Sequence, residues 1–333
     1  MRDDPGYALE AADGGGIRPL TEQEFALFQA LIHREAGIYL SEMKKSLLVG
    51  RLSRHLRELG LGSFGAYYRR VIEDADELVR MLDSISTNET HFFREPRQFD
   101  FLEQSVYPEW TAAAAAGRRP RRIRVWSAAC STGEEPYSLA MSLLSHFPPA
   151  SGWNVEILAT DISTRVLERA RAATWPMTKA SEIPSAYLKD YMLKGTRTQE
   201  GKMKAGPQIC EAVRFERLNL NDAAYALTGF FDLIFCRNCL IYFNAESKAH
   251  VIRQLLRYLA PTGHLFMGHA EMLNNVTDRA RSVGPNAYVH AGTANPEALK
   301  LLAAHPAPRR AVPPAPYRLK SRVGPGLRPC LVG

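Results

Sequence analysis

The stretch from residue 124 to 140, RVWSAACSTGEEPYSLA, limits the chain to a small set of folds. A β-branched and aromatic run (Ile123, Val125, Trp126) gives way to a small-residue turn from Ser127 to Gly133. A helical segment follows with Pro136 in its first turn, where the fixed φ of proline is tolerated. Strand, tight turn and helix in this order open a doubly wound nucleotide-binding domain. A dinucleotide site would offer bare backbone N–H groups to a pyrophosphate. This turn instead carries Glu134 and Glu135, and its glycine spacing is not G-x-G-x-x-G. Carboxylates repel phosphate and attract a cation, so a positively charged nucleoside without phosphate fits; S-adenosylmethionine is the common one. The plainer alternative is a pair of acidic residues complementing a helix dipole.

At 333 residues the chain has material for about two domains. Its apolar and charged fractions, 46% and 23%, are those of a globular protein. No apolar run reaches membrane-span length, and the acidic, glycine-rich start MRDDPGYALEAADGGG does not read as a signal peptide. The five scattered cysteines imply a reducing cytoplasm and no disulfide framework. Cys236 and Cys239 have C-x-x-C spacing without a second pair, which favours small residues at a buried strand end over a zinc or redox site. The net charge of +7 lies partly in a Pro/Arg-rich tail, and no nucleic-acid partner is inferred from it.

Residues 1–18 and 294–333 have the composition of disordered extensions. Residues 19–92 read as a small helical domain, opened by the capping box Thr21-Glu-Gln-Glu24. Within it residues 44–57 set Lys44, Lys45, Arg51, Arg54, His55 and Arg57 among leucines. Such a face is either solvated surface or a docking surface for an acidic partner. Residues 93–293 alternate strands and helices: strands over 123–127, 155–160, 213–218, 232–236, 264–267 and 287–290, and helices over 136–147, 164–173 and 245–259. The expectation is an α/β fold with a doubly wound, mostly parallel sheet. Residues 175–213 exceed an ordinary crossover and read as a small antiparallel β insertion suited to binding a partner.

Asp161 ends the second strand, where a carboxylate accepts from ribose hydroxyls or caps the next helix. Asn219-Leu220 and Arg237-Asn238 follow the third and fourth strands. Ligands of open α/β sheets bind along that edge. A second distinctive string, STNETHFFRE from Ser86 to Glu95, falls at the junction of the two regions, placed to line a cleft. The alternative makes Phe92 and Phe93 core residues and pairs Arg94 with a surface carboxylate.

TNETHFFRE, VWSAACSTGEEPYSLA, ATDIS, LNL and FCRNCLIYF occur in the order found in the CheR family, which this chain resembles from about residue 21 to 290. Members are S-adenosylmethionine-dependent methyltransferases that esterify glutamates on bacterial chemotaxis receptors. The resemblance implies a class I methyltransferase fold, S-adenosylmethionine as cofactor, S-adenosylhomocysteine as product and no metal. It places Asn88, Thr90 and Arg94 in the cofactor site, Glu135 on the methionine amino group and Asp161 on the ribose. Asn219, Leu220, Arg237 and Asn238 would frame the adenine and the rest of the pocket, and Tyr242 matches the family's active-site tyrosine. Arg94 and Tyr242 are the expected catalytic residues. The implied partner is the receptor's cytoplasmic helices, met by residues 44–57, with the protein a cytoplasmic monomer that inserts in no membrane. In the family the insertion can bind a receptor C-terminal peptide through a loop favouring glycine. Arg197 stands there in this chain, which argues against such tethering.

Those roles are chemically coherent. Methyl transfer from a sulfonium to a carboxylate is an in-line displacement joining a cation and an anion. Glutamate, with an ordinary pKa of about 4.3, is already ionised at neutral pH and needs no general base. Alignment of donor and acceptor can contribute roughly 7–11 kcal/mol. Arg94 would orient the carboxylate through paired hydrogen bonds, and the faces of Phe92 or Phe93 would tolerate the sulfonium. Two other readings stay open: a methyltransferase of this fold acting on a small molecule or RNA, and a non-catalytic cofactor-binding signalling protein.

Overall fold

A computed structural model of the chain describes residues 16–273 and 277–292 and the backbone of 327–329. The expectation of disorder over 1–18 and 294–333 lies outside these residues, apart from 16–18 and 327–329. The chain divides into two compact units, the first ending at Ser86 and the second beginning at Thr87. Residues 87–92, drawn from sequence with the helical region, thus belong to the second unit.

The first unit contains the helices α1 (Glu22–Ala36), α2 (Lys45–Glu58), α3 (Phe64–Glu73) and α4 (Ala75–Ile85). Side-chain oxygens cap α1, α3 and α4: Thr21, Ser63 and Asp74 each accept from N–H groups that the first helical turn leaves unpaired. Thr21 and Glu24 form the reciprocal box expected from sequence. Phe25, Phe28, Leu48, Leu52, Tyr67, Val71 and Met81 are buried. The basic face of α2 is largely committed within its own unit. Lys45 pairs with Glu22, Arg54 with Glu58 at 2.7 Å, and His55 with Ser84 at 2.6 Å. Arg51 donates to the carbonyls of Ser84, Ile85 and Ser86. A cation on the last carbonyls of α4 satisfies groups that the helix end leaves without partners.

In the second unit the helices α5 (Pro96–Phe101) and α6 (Tyr107–Ala115) lead into β1 (Arg122–Ala128), α7 (Glu134–His146), β2 (Asn154–Asp161) and α8 (Thr164–Ala172). The insertion follows with β3 (Thr174–Pro176), α9 (Ser185–Tyr191), β4 (Met192–Gly195), β5 (Lys202–Ala205) and α10 (Pro207–Glu211). The chain then returns through β6 (Val213–Arg217), β7 (Phe231–Cys236), α11 (Ala245–Tyr258), β8 (Leu259–Met267), β9 (Ala280–Gly284) and β10 (Ala287–His290). The main sheet has the order β6-β2-β1-β7-β8-β10-β9; the first five strands pair in parallel, and β10 and β9 are antiparallel. Successive side chains of a strand point to opposite faces. Val125, Leu233 and Phe235 therefore pack on one side with Leu139 and Leu143 of α7. Trp126, Ile234 and Cys236 pack on the other with Val251 and Leu255 of α11. Both faces are covered, as a parallel sheet requires.

The insertion forms the expected small antiparallel sheet. Its strand β4 pairs on one side with β5 and on the other with β11 (Leu327–Pro329), within the tail. Arg197, in the β4–β5 loop, has φ 56, a left-handed conformation in which glycine would be unstrained.

Candidate functional site

The carboxyl ends of β1, β2, β6 and β7 lie side by side, because the sheet order makes these strands consecutive neighbours. The turn after β1 is tight: Ala129 and Ser131 have positive φ, and Gly133 sits at φ 96. A Cβ on Gly133 would approach the Ala170 Cβ of α8 to 3.0 Å. Glycine at this position lets α7 and α8 approach one another. Among the described residues, eight non-glycine residues have positive φ, and five of them (Phe93, Glu95, Ala129, Ser131 and Asn238) lie in the site strings. Strained backbone of this kind concentrates at functional sites.

Glu134 and Glu135 both open α7 and are both buried, yet they play different parts. Glu134 accepts from Lys179 Nζ at 2.6 Å and from Thr132 Oγ1 at 2.6 Å. Glu135 accepts from Ser127 Oγ on Oε1 and from Arg237 Nε on Oε2, each at 2.7 Å. Each carboxylate thus has a cationic partner, so the turn is not the bare anionic site that the sequence pattern suggested. Arg237 also donates to the Arg94 carbonyl at 2.5 Å and to Gln98 Oε1 at 3.1 Å. Asp161 accepts from the N–H of Ser131 and of Ser163, each at 2.9 Å. It therefore fixes the β1 turn and the start of α8 together.

The remaining expected residues fall around this core. The Ser131 hydroxyl donates to the Asn88 carbonyl at 3.1 Å, and Lys179 Nζ to the Thr90 carbonyl at 2.9 Å. Arg94 NH1 donates to the Glu89 carbonyl at 3.1 Å. After β6, the Leu218 N–H donates to the Asp161 carbonyl at 3.1 Å, which leads Asn219 and the buried Leu220 along the same edge. Tyr242 closes the 3-10 turn Leu240–Tyr242 that follows Arg237 and Asn238. Asn238, at φ 57, leaves its buried Oδ1 without a hydrogen-bond partner. An orphaned buried acceptor awaits a donor. With the Asp161 and Glu135 carboxylates it forms an acceptor-rich edge, which suits the hydroxyl, amino and ammonium donors of an amino-acid nucleoside.

Phe92 and Phe93 do not offer free faces to a ligand. Both are buried: Phe92 packs edge-on against Trp175, and Phe93 stacks on Tyr187 at 5.2 Å. They are core residues, and no face is left open for a sulfonium. Cys236 and Cys239 lie with sulfurs 3.3 Å apart. Among the described residues, no group of three His, Cys, Asp or Glu is arranged to hold a metal.

Glu271 was missed from sequence. It is buried just past β8 and accepts from the N–H groups of Asn238 at 2.6 Å, Gly268 at 3.0 Å and Ile241 at 3.1 Å. Burial raises its pKa above the ordinary glutamate value, opposed by these backbone donors. A signal was available, since Glu271 lies beyond the carboxyl end of a strand like the other site residues. Lys179 carried no comparable signal.

A parallel sheet flanked by helices, with a strained turn after its first strand and acceptors along its carboxyl edge, is a doubly wound α/β domain whose ligand edge lies at the strand ends. The chain belongs to the CheR methyltransferase family: residues 88–289 match its S-adenosylmethionine-binding domain, and residues 23–86 match its all-alpha domain. It is 36% identical over 271 residues to chemotaxis protein methyltransferase 2 of Pseudomonas aeruginosa, covering 80% of this chain and 93% of the relative. It is 37% identical over 273 residues to the chemotaxis protein methyltransferase of Escherichia coli, covering 81% and 91%. A further relative, from Borreliella burgdorferi, is 36% identical over 257 residues, covering 76% and 89%.

Proposed function

We propose that the chain transfers a methyl group from S-adenosylmethionine to glutamate carboxylates of chemotaxis receptors, leaving S-adenosylhomocysteine and glutamyl methyl esters. One observation carries the reading: kinship with proteins named chemotaxis protein methyltransferases runs through both units, at 36–37% identity over about four fifths of the chain. No helix among the described residues is long and apolar enough to cross a membrane. A monomer in the cytoplasm, acting on the cytoplasmic part of a receptor, is the setting this reading implies.

The roles follow from the side chains. A carboxylate oxygen has two lone pairs. Ser127 and Arg237 take one on each oxygen of Glu135, so an ammonium can use the others. Asp161 would accept from ribose hydroxyls, Asn238 Oδ1 from a further ligand donor, and Asn219 and Leu220 would flank the base. Asn88 and Thr90 border the β1 turn from the other side. When bound, the cofactor supplies a methyl group made electrophilic by its sulfonium. Arg94 keeps guanidinium N–H groups beyond the one given to Glu89, and these would orient the incoming carboxylate, with the Tyr242 hydroxyl as a second donor. The carboxylate oxygen would take the methyl group as the C–S bond breaks, the electron pair of that bond staying with sulfur. The product is neutral, so no proton need move.

Of the basic residues on α2, Arg54 and Arg57 are exposed, and they would be the first to meet acidic receptor helices. Tethering of a receptor peptide to the insertion is not part of this reading, because Arg197 occupies the loop. The test is incubation with tritiated S-adenosylmethionine and a receptor cytoplasmic fragment. Base-labile methyl label on the fragment is expected. Base-stable label, or label without any receptor, would instead favour a small-molecule or RNA substrate. Cofactor binding without turnover would favour a signalling role.

A further inference from the structure

The insertion touches the cofactor region at a place that partner binding does not explain. After β3 a 3-10 turn, Met177–Glu182, projects two charged side chains onto the TNETHFF string. Lys179 Nζ donates to the Thr90 carbonyl at 2.9 Å and to Glu134 Oε1 at 2.6 Å. Glu182 Oε2 accepts from the Phe92 N–H at 2.9 Å, and its Oε1 lies 3.3 Å from His91 Nδ1. Trp175 of β3 packs edge-on against Phe92, with ring centroids 5.0 Å apart. One side of the string is thereby fastened to the insertion. On the other side, the Asn88 carbonyl accepts from Ser131 and the Phe93 N–H donates to the Ser138 hydroxyl of α7.

We propose that Lys179 and Glu182 are positioning residues for the cofactor site, holding Thr90 to Phe92 against the turn after β1. The inference rests on the cofactor reading above. It also assigns Glu134: its carboxylate anchors Lys179 rather than contacting a ligand, while Glu135 one position on serves the site. Lys179 is the shared element. Its ammonium joins the insertion, the string and the first turn of α7 in one place, and each bond to it is charge-assisted. The Glu134–Lys179 pair alone would join α7 to the insertion, and it is the further bond to the Thr90 carbonyl that brings the string into it.

The experiment compares the unaltered full-length chain with Glu134→Gln/Lys179→Met and Glu182→Leu. The readouts are S-adenosylhomocysteine binding by calorimetry, thermal midpoints, and amide exchange at Phe92. The double variant removes both charges and so avoids a lone buried ion. Its midpoint is expected close to that of the unaltered chain, with binding weaker by about tenfold. Glu182→Leu should speed exchange at Phe92 and weaken binding by a similar factor. Unchanged affinity in both variants would overturn the proposal, as would losses of binding that merely track losses in thermal midpoint. If the unaltered chain failed to bind S-adenosylhomocysteine, the cofactor reading itself would fall, and this inference with it.

Discussion

Glu135 closes α7 onto β1 through Ser127 and neutralises the buried Arg237, and in the proposed function its remaining lone pairs would take a ligand ammonium. Replacing it with glutamine removes the charge and one acceptor oxygen but preserves the shape. Hydrogen bonds to charged groups contribute roughly 1.5–3 kcal/mol, so Glu135→Gln should bind S-adenosylhomocysteine about 10- to 100-fold more weakly in calorimetry. Equal binding would contradict the assigned role. At this scale the sequence was informative about chemistry and silent about pairing. Carboxylates and amides at strand ends stand out because few residue types serve there. That Glu134 meets Lys179 and Glu135 meets Arg237 depends on neighbours 45 and 102 positions away in the chain. No local pattern encodes such distances.

The loop after β7 makes the same point for an element. Arg237, Asn238 and Tyr242 lie within six residues, and the loop's own 3-10 turn shapes only its second half. Glu271, from beyond β8, holds the loop by the N–H groups of Asn238 and Ile241 and accepts a third bond from Gly268, which leaves room for it. A Cβ on Gly268 would fall 2.5 Å from Glu271 Oε2 and 2.7 Å from the Asn238 nitrogen. Glu271→Gln presents an amide N–H₂ to at least one of these donors, so the loop must open there. The expectation is weaker S-adenosylhomocysteine binding, by about tenfold, with a fall in methyl transfer; calorimetry beside a transfer assay checks it. Gly268→Ala should act in the same direction. The alternation of strands and helices was readable from hydrophobic spacing, and most boundaries agree within two residues. β8 begins at Leu259 rather than 264, because Pro261 and Gly263 disguise its first half. β9, ARSVG, escaped because a five-residue edge strand of small and polar residues with one valine has no apolar alternation to detect.

At the scale of the molecule, two buried groups, His264 away from the site and Glu271 beside it, tie stability to pH. His264 lies on β8 against Phe101 and Phe266, and burial lowers its pKa from 6.5 to about 4. Between those values the unfolded chain binds a proton that the folded chain does not. The stability associated with neutral His264 is therefore present above pH 6.5 and is lost as pH falls through that window toward 4. Glu271, raised by burial, has the opposite sign: its contribution is present below the ordinary glutamate value and is lost as pH rises through the folded value. The two trends oppose one another, so the histidine must be isolated by substitution. His264→Phe keeps an aromatic ring among aromatic neighbours and removes the titration. Between about pH 7.5 and about pH 5 the unaltered chain should lose about 2 kcal/mol more than His264→Phe, read from urea midpoints. Parallel losses in the two proteins would show that His264 titrates normally, and that the interior of the sheet is wetter than its packing implies.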